Sequence, residues 1–303
     1  MPTSILFVLL ILAHVIWGGG FIVIKLIQGS FTLPQILFGR VVLAALIYAA
    51  LWHRIPKPRY QNGDWKYLGL LALCEPFLLF TFETLGVSYT TASQAGMIVA
   101  CAPMAVAVAA FAFYREKIST RCGVGILLAV TGVMVVSIFG AEEGGGANPL
   151  LGNFFMLCAV AASTGYAMTV KYLAQRYSFL YLSAIQVFGA TLLFLPGALA
   201  GPMPNHLGMD ALLSMIYLGV GVTFLVYFII NYALTRLKAG HVILFSNLIP
   251  ISTLILAYFF LDERLTGFQY FGAALVIGGV ALAGSPEASQ DEPSHQTKEP
   301  AHG

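Results

Sequence analysis

Residues 70–86 read LLALCEPFLLFTFETLG. Two carboxylates, Glu75 and Glu83, and a proline, Pro76, interrupt an otherwise apolar run. A soluble core rarely buries two acids without partners, and a lipid-facing helix tolerates them even less. The rest of the chain says which setting applies. Of 303 residues, 59% are hydrophobic and 9% are charged, with 22 Phe. Soluble domains carry about 25% charged residues. Mean hydropathy is +0.85, so the acids sit in a membrane protein. Net charge is +2 and points to no nucleic-acid partner. The start, MPTSILFVLLILAHVIWGGG, has no basic n-region and no small-residue cleavage site, so the first run is expected to remain as a helix. Cys74, Cys101, Cys122 and Cys158 lie in separate apolar stretches and read as packing residues, without a disulfide framework or a metal site.

A membrane helix needs about 20 mostly apolar residues. Ten stretches meet that length, at 4–26, 33–52, 66–86, 92–113, 120–140, 150–172, 179–200, 211–235, 240–261 and 267–285. The polar tail, 286–303, is too poor in apolar residues to pack and is expected to be disordered. Basic residues orient the spans. One side carries Arg54, Lys57, Arg59, Lys66, Arg115, Lys117, Arg121, Lys171, Arg176, Arg236 and Lys238, and the other only Lys25 and Arg264. Both termini are therefore expected in the cytoplasm, with the chain in the plasma (bacterial inner) membrane.

The chain also repeats itself. YREKIS (114–119) resembles LDERLT (261–266), and in that register Glu116, Pro103, Gly125 and Gly132 meet Glu263, Pro250, Gly272 and Gly279. Lys25 likewise meets Lys171, and Arg40 meets Gln186. The expected organisation is a first five-helix repeat over 1–141, a flexible linker over 142–149 and a second repeat over 150–285. Five is an odd number, so the second copy enters from the opposite face. The fold class predicted is an all-α integral membrane protein with ten transmembrane helices as two inverted five-helix repeats. Such halves can rock about a shared cavity, exposing it to each side in turn.

Trp17-Gly18, YTTASQAG (89–96) ahead of Pro103, YREKIS, LDERLT and NYALTRLKAG (231–240), on this ten-span pattern, resemble the EamA family of the drug/metabolite transporter superfamily over about residues 5–284. The resemblance implies a ten-helix fold with a central cavity lined by helices 1, 3, 4, 6, 8 and 9. It also implies export of amino acids, other metabolites or toxic compounds, with import in a few members.

Residues 75 and 83 are two helical turns apart and fall on one face, about 12 Å apart, with Leu79 between them. A charge at mid-membrane costs about 2.5–3.5 kcal/mol on insertion scales, so both acids are expected to face the interior or water. They are candidates for attracting a cation or carrying a proton. Arg40 is the one basic residue deep within a span; it can neutralise a glutamate of span 3 or hold a substrate carboxylate. Pro76, Pro103 and Pro250 each remove a backbone hydrogen bond and are candidate hinges. His14 can titrate near neutral pH and is a candidate for coupling. Trp17 and Tyr166 each stand beside small residues, as candidate cavity walls. Tyr227, Asn231 and Asn247 are polar groups of spans 8 and 9 and candidate substrate contacts. Glu116 and Glu263 are expected to pack helix ends, and Thr266 with Gln269 fits a capping box.

No HExxH, GxSxG or phosphate-binding loop and no Cys/His cluster of metal spacing is present in the sequence. An enzyme is therefore not expected, nor a cofactor or metal. The expected partners are a small-molecule substrate, the lipid bilayer and a second copy of the chain as a homodimer. The function expected is a secondary-active or facilitative carrier exporting a small metabolite such as an amino acid. The alternatives are a broad exporter of cationic or amphiphilic toxic compounds, or a sensor or channel.

Overall fold

The apolar runs leave the backbone no water to bond, so its amides must be satisfied within helices. The computed structural model describes residues 3–56, 58, 60–115, 118–140, 146–202, 208–234, 236–237, 242 and 245–283. Among the described residues all regular structure is helical. Eight runs are long and apolar enough to cross a bilayer, from Ser4–Ile27 to Met209–Ala233, and two shorter apolar helices, Phe245–Leu261 and Gly267–Ala283, follow. The tail 286–303, linker residues 142–145 and Glu116 lie outside the described residues.

The first half comprises α1 (Thr3–Ile27), α2 (Leu33–Leu51), α3 (Asp64–Ala72), α4 (Leu79–Tyr89), α5 (Ala92–Val99), α6 (Ala102–Tyr114) and α7 (Thr120–Gly140). The second comprises α8 (Pro149–Leu173), α9 (Phe179–Ala200), α10 (Met209–Ile216), α11 (Tyr227–Leu234), α12 (Leu248–Leu261) and α13 (Gly267–Ala283). Side-chain caps set several starts. Thr91 accepts from the Gln94 amide at 3.1 Å, Asn148 from Leu151 at 3.2 Å and Ser178 from Tyr181 at 3.3 Å. At α13 both arms of the capping box form, with Thr266 N–H donating to Gln269 at 2.8 Å and Gln269 N–H to the Thr266 hydroxyl at 3.3 Å.

Pro76, Pro103 and Pro250 do not sit inside continuous helices as the spans alone predict. Span 3 is interrupted between α3 and α4 by a wide π-type segment, Leu73–Leu78. Within it Glu75 is extended (φ −148°, ψ 125°) and Pro76 follows through a cis peptide. Span 4 is two helices: α5 ends at Val99, and Pro103 falls in the first turn of α6. Pro250 falls in the first turn of α12, after a short 3-10 turn, Phe245–Asn247. A first-turn amide has no intrahelical partner to lose, so proline is accommodated there.

Glycines allow close helix approach at two of the seams. α7 and α13 pack glycine to glycine. A Cβ on Gly125 would lie 2.5 Å from the Gly279 carbonyl, and one on Gly132 would lie 2.6 Å from that of Gly272. Only a residue without a side chain allows that approach. α1 meets α12 at Gly18, where the Thr253 hydroxyl lies 3.1 Å from the Gly18 carbonyl and an added Cβ would strike Ser252 and Thr253. Glu263, just past α12, closes the start of α5. Its carboxylate accepts from the amides of Ala92 and Ser93 at 2.9 and 3.0 Å and from the Ser93 hydroxyl at 2.7 Å, with Lys25 Nζ 3.9 Å away. Negative charge is favoured there because the first amides of a helix are unpaired. α6 and α12 each end on a non-glycine residue in left-handed conformation, Arg115 (φ 56°) and Asp262 (φ 50°). These two occupy matching places in the repeat.

Candidate substrate cavity

A cavity of about 220 Å³ lies where the helices are broken. His14 and Trp17 of α1 form one wall, and Glu75, Leu79 and Glu83 of the interrupted span form another. The α5–α6 bend adds Val99, Ala100, Ala102 and Pro103; α8 adds Ala159, Val160 and Ser163. Ile230 of α11, Val242 and Ser246 ahead of α12, and Ile249 in its first turn complete the lining. In the sequence reading these are spans 1, 3, 4, 6, 8 and 9.

The two acids have different neighbours. Glu83 is 4% exposed and lies 3.3 Å from Arg40 Nη1, with the Trp17 indole as a further hydrogen-bonding partner. Arg40 is 1% exposed and is not among the residues lining the cavity. Its Nε donates to the Thr223 hydroxyl at 3.2 Å, and its guanidinium carbon lies 3.6 Å from the Phe80 ring centre. The Thr223 hydroxyl passes its own hydrogen to the Leu218 carbonyl at 2.8 Å, so its lone pairs are free for the guanidinium. This is a buried ion pair with hydrogen-bonded ends, the arrangement that makes such a pair tolerable in low dielectric. Glu75, also 4% exposed, accepts a hydrogen bond from the Tyr227 hydroxyl. Tyr227 in turn lies against Trp17, with ring centres 5.7 Å apart.

His14 is buried in the cavity wall, with Nδ1 2.7 Å from the Leu10 carbonyl. A carbonyl only accepts, so Nδ1 carries the hydrogen and Nε2 of the neutral ring is an acceptor. Besides Arg40, four expected contacts are not in the lining: Tyr227, which bonds cavity-lining Glu75, and Tyr166, Asn231 and Asn247. Tyr166 packs against Leu68, Leu71, Leu173 and Leu182. Asn231 Nδ2 donates to the Ser183 hydroxyl at 3.3 Å. Asn247 precedes α12, next to cavity-lining Ser246. Of the prolines, Pro103 lines the cavity, whereas Pro76 and Pro250 do not. Sequence reasoning missed Ser163, although it had marked the small residues beside Tyr166, and missed Phe80 and Thr223. Nothing in the order of residues links Thr223 to Arg40, 183 positions away.

The long apolar helices around this cavity are those of a multi-pass membrane protein. The profile of the EamA-like transporter family matches residues 4–138 and again 150–285, and the chain belongs to that family. It is 30% identical to the uncharacterized transporter YetK of Bacillus subtilis over 247 residues, 80% of this chain and 75% of that one. It is 27% identical to a probable amino-acid metabolite efflux pump of Escherichia coli over 288 residues, 91% of this chain and 93% of that one. A solved crystal structure superposes with a TM-score of 0.68 over 96% of this chain and 99% of that one, at 17% identity; that likeness concerns the fold alone.

Proposed function

We propose that the protein is a secondary-active or facilitative exporter of a small metabolite carrying an amino group, an amino acid or a derivative of one. It works by alternating access of the cavity between the two inverted five-helix halves, with both termini in the cytoplasm. The observation that carries this reading is Glu75, a carboxylate on the wall of an otherwise mostly apolar cavity, partnered by a neutral phenol. The name of the Escherichia coli relative agrees with the substrate class. The inverted arrangement is supported by the seam of α7 and α13. Gly125 meets the counterpart of Gly132, and Gly132 meets the counterpart of Gly125, which is the reciprocal pairing a two-fold axis produces. Pro103 and Pro250 stand at helix starts beside the cavity, where backbone angles can change without breaking a hydrogen-bonded ladder; they are the proposed hinges. Glu75 and Glu83, with His14, are the proposed proton carriers.

Counterflow of labelled amino acids and amines in proteoliposomes tests the reading. Glu75→Gln is expected to reduce the rate at least ~10-fold, since a buried charged pairing is worth about 1.5–3 kcal/mol. An unchanged rate removes the carboxylate from transport. An imposed proton gradient that drives accumulation establishes coupling, and one that does not establishes uniport. The apolar wall with Trp17 also favours a second reading, a broad exporter of amphiphilic cations. Resistance to several unrelated cationic compounds on expression supports it; resistance to none removes it.

A further inference from the structure

The proposed transport of an amino-bearing metabolite leaves open whether the substrate's carboxylate is bound as well. That question is decided by the donors and acceptors on the cavity wall, and this inference rests on the transport reading. Among the described residues no lysine or arginine lines the cavity. Arg40, the basic residue nearest to hand, lies behind Glu83. One nitrogen is on that carboxylate, Nε is on Thr223 and its flat face is on Phe80. A ligand carboxylate would have to displace Glu83 to reach it, and would do so beside two carboxylates of the wall.

Three further polar groups of the wall, Ser163, His14 and Trp17, lean the same way; Ser246 also lines it. Ser163 gives its hydroxyl hydrogen to the Val160 carbonyl at 2.9 Å, so its oxygen is left to accept. His14 Nδ1–H is engaged by the Leu10 carbonyl, so its other nitrogen accepts in the neutral ring. The Trp17 indole is turned to Glu83, and the face of its ring is the kind of surface that attracts an ammonium group. Glu83 has its charge balanced by Arg40, whereas among the described residues the hydrogen-bond partner of Glu75 is the Tyr227 hydroxyl. The wall thus offers acceptors, an aromatic face and one carboxylate without an ion-pair partner, around mostly apolar surface.

We propose that the cavity selects a small monocation with an apolar body and no free carboxylate, either an amine or an amino acid whose carboxyl is amidated or esterified. Glu75 is its counter-ion, and Arg40 is committed to Glu83.

A matched series with one side chain tests this on the full-length protein in detergent: leucine, leucinamide, leucine methyl ester, isoamylamine and the neutral isocaproamide. Affinity is read by calorimetry and by shift of the melting temperature. Leucinamide, the ester and the amine are expected to bind at least 10-fold more tightly than leucine and than isocaproamide. Leucine binding as tightly as its amide overturns the inference and leaves the transport reading standing. Isocaproamide binding as tightly as isoamylamine overturns the counter-ion role of Glu75. If no member binds or competes in counterflow while another labelled metabolite is transported, the inference fails alone. If nothing is bound or transported, both readings fail. In Glu75→Gln protein that retains the wild-type melting temperature, the advantage of isoamylamine over isocaproamide is expected to vanish. The order within the series on wild-type protein decides the matter even if that variant does not fold.

Discussion

Glu75 and Glu83 are the same residue type, eight positions apart on one span, equally buried and on the wall of one cavity. What separates them is what stands behind each. Glu83 backs onto Arg40 and the Thr223–Leu218 chain of hydrogen bonds, so its charge is answered from within the bundle. Glu75 sits in the extended break between α3 and α4 and, among the described residues, has a phenol and no ion-pair partner. In a low-dielectric interior the partner, not the side chain, decides whether a carboxylate is a structural tie or a group free to meet cargo.

If that contrast is correct, Arg40→Leu has the largest effect. It strands Glu83 without its counter-charge, and the expected loss is about 3–5 kcal/mol of stability, seen as a large drop in melting temperature of the detergent-solubilised protein. Arg40→Gln combined with Glu83→Gln is expected to recover most of it, and recovery of none would break the pairing. Tyr227→Phe comes next. It removes the donor to Glu75 and is expected to cost about 1–3 kcal/mol, with substrate affinity changing alongside stability. If affinity is untouched, Tyr227 only fills space. The smallest effect is expected from Thr223→Val, about 0.5–1.5 kcal/mol, measured by thermal unfolding with counterflow unaltered. A transport defect there would draw the Arg40 side of the comparison into the substrate path.

Much of the architecture was legible because composition constrains membrane chains strongly. The long apolar runs and the interior placement of Glu75, Glu83 and Arg40 followed from the free energy of exposing polar groups to lipid, and the capping box at Thr266 from its spacing to Gln269. Self-similarity aligned Arg115 with Asp262, and the structure gives both the same left-handed turn. Periodicity failed where it assumed an unbroken helix. The extended backbone at Glu75 means that two turns of ideal helix do not describe its relation to Glu83. The bend between Val99 and Ala102 makes Pro103 a helix start instead of a mid-helix kink. Partner choice was also hidden, because the rotation of each helix about its axis is set by packing. That rotation brings Arg40 to Glu83 with Thr223 and Phe80 around it, and it points Asn231 at Ser183.

The carboxylate of Glu263 has a consequence for the chain as a whole. It belongs to the segment matched over 150–285, yet the amides it satisfies open a helix of the segment matched over 4–138. Severed at the linker, the first fragment would expose those amides and the second would carry an acid with nothing to hold. The second copy thus completes the start of a helix that belongs to the first, and the two are not independent modules.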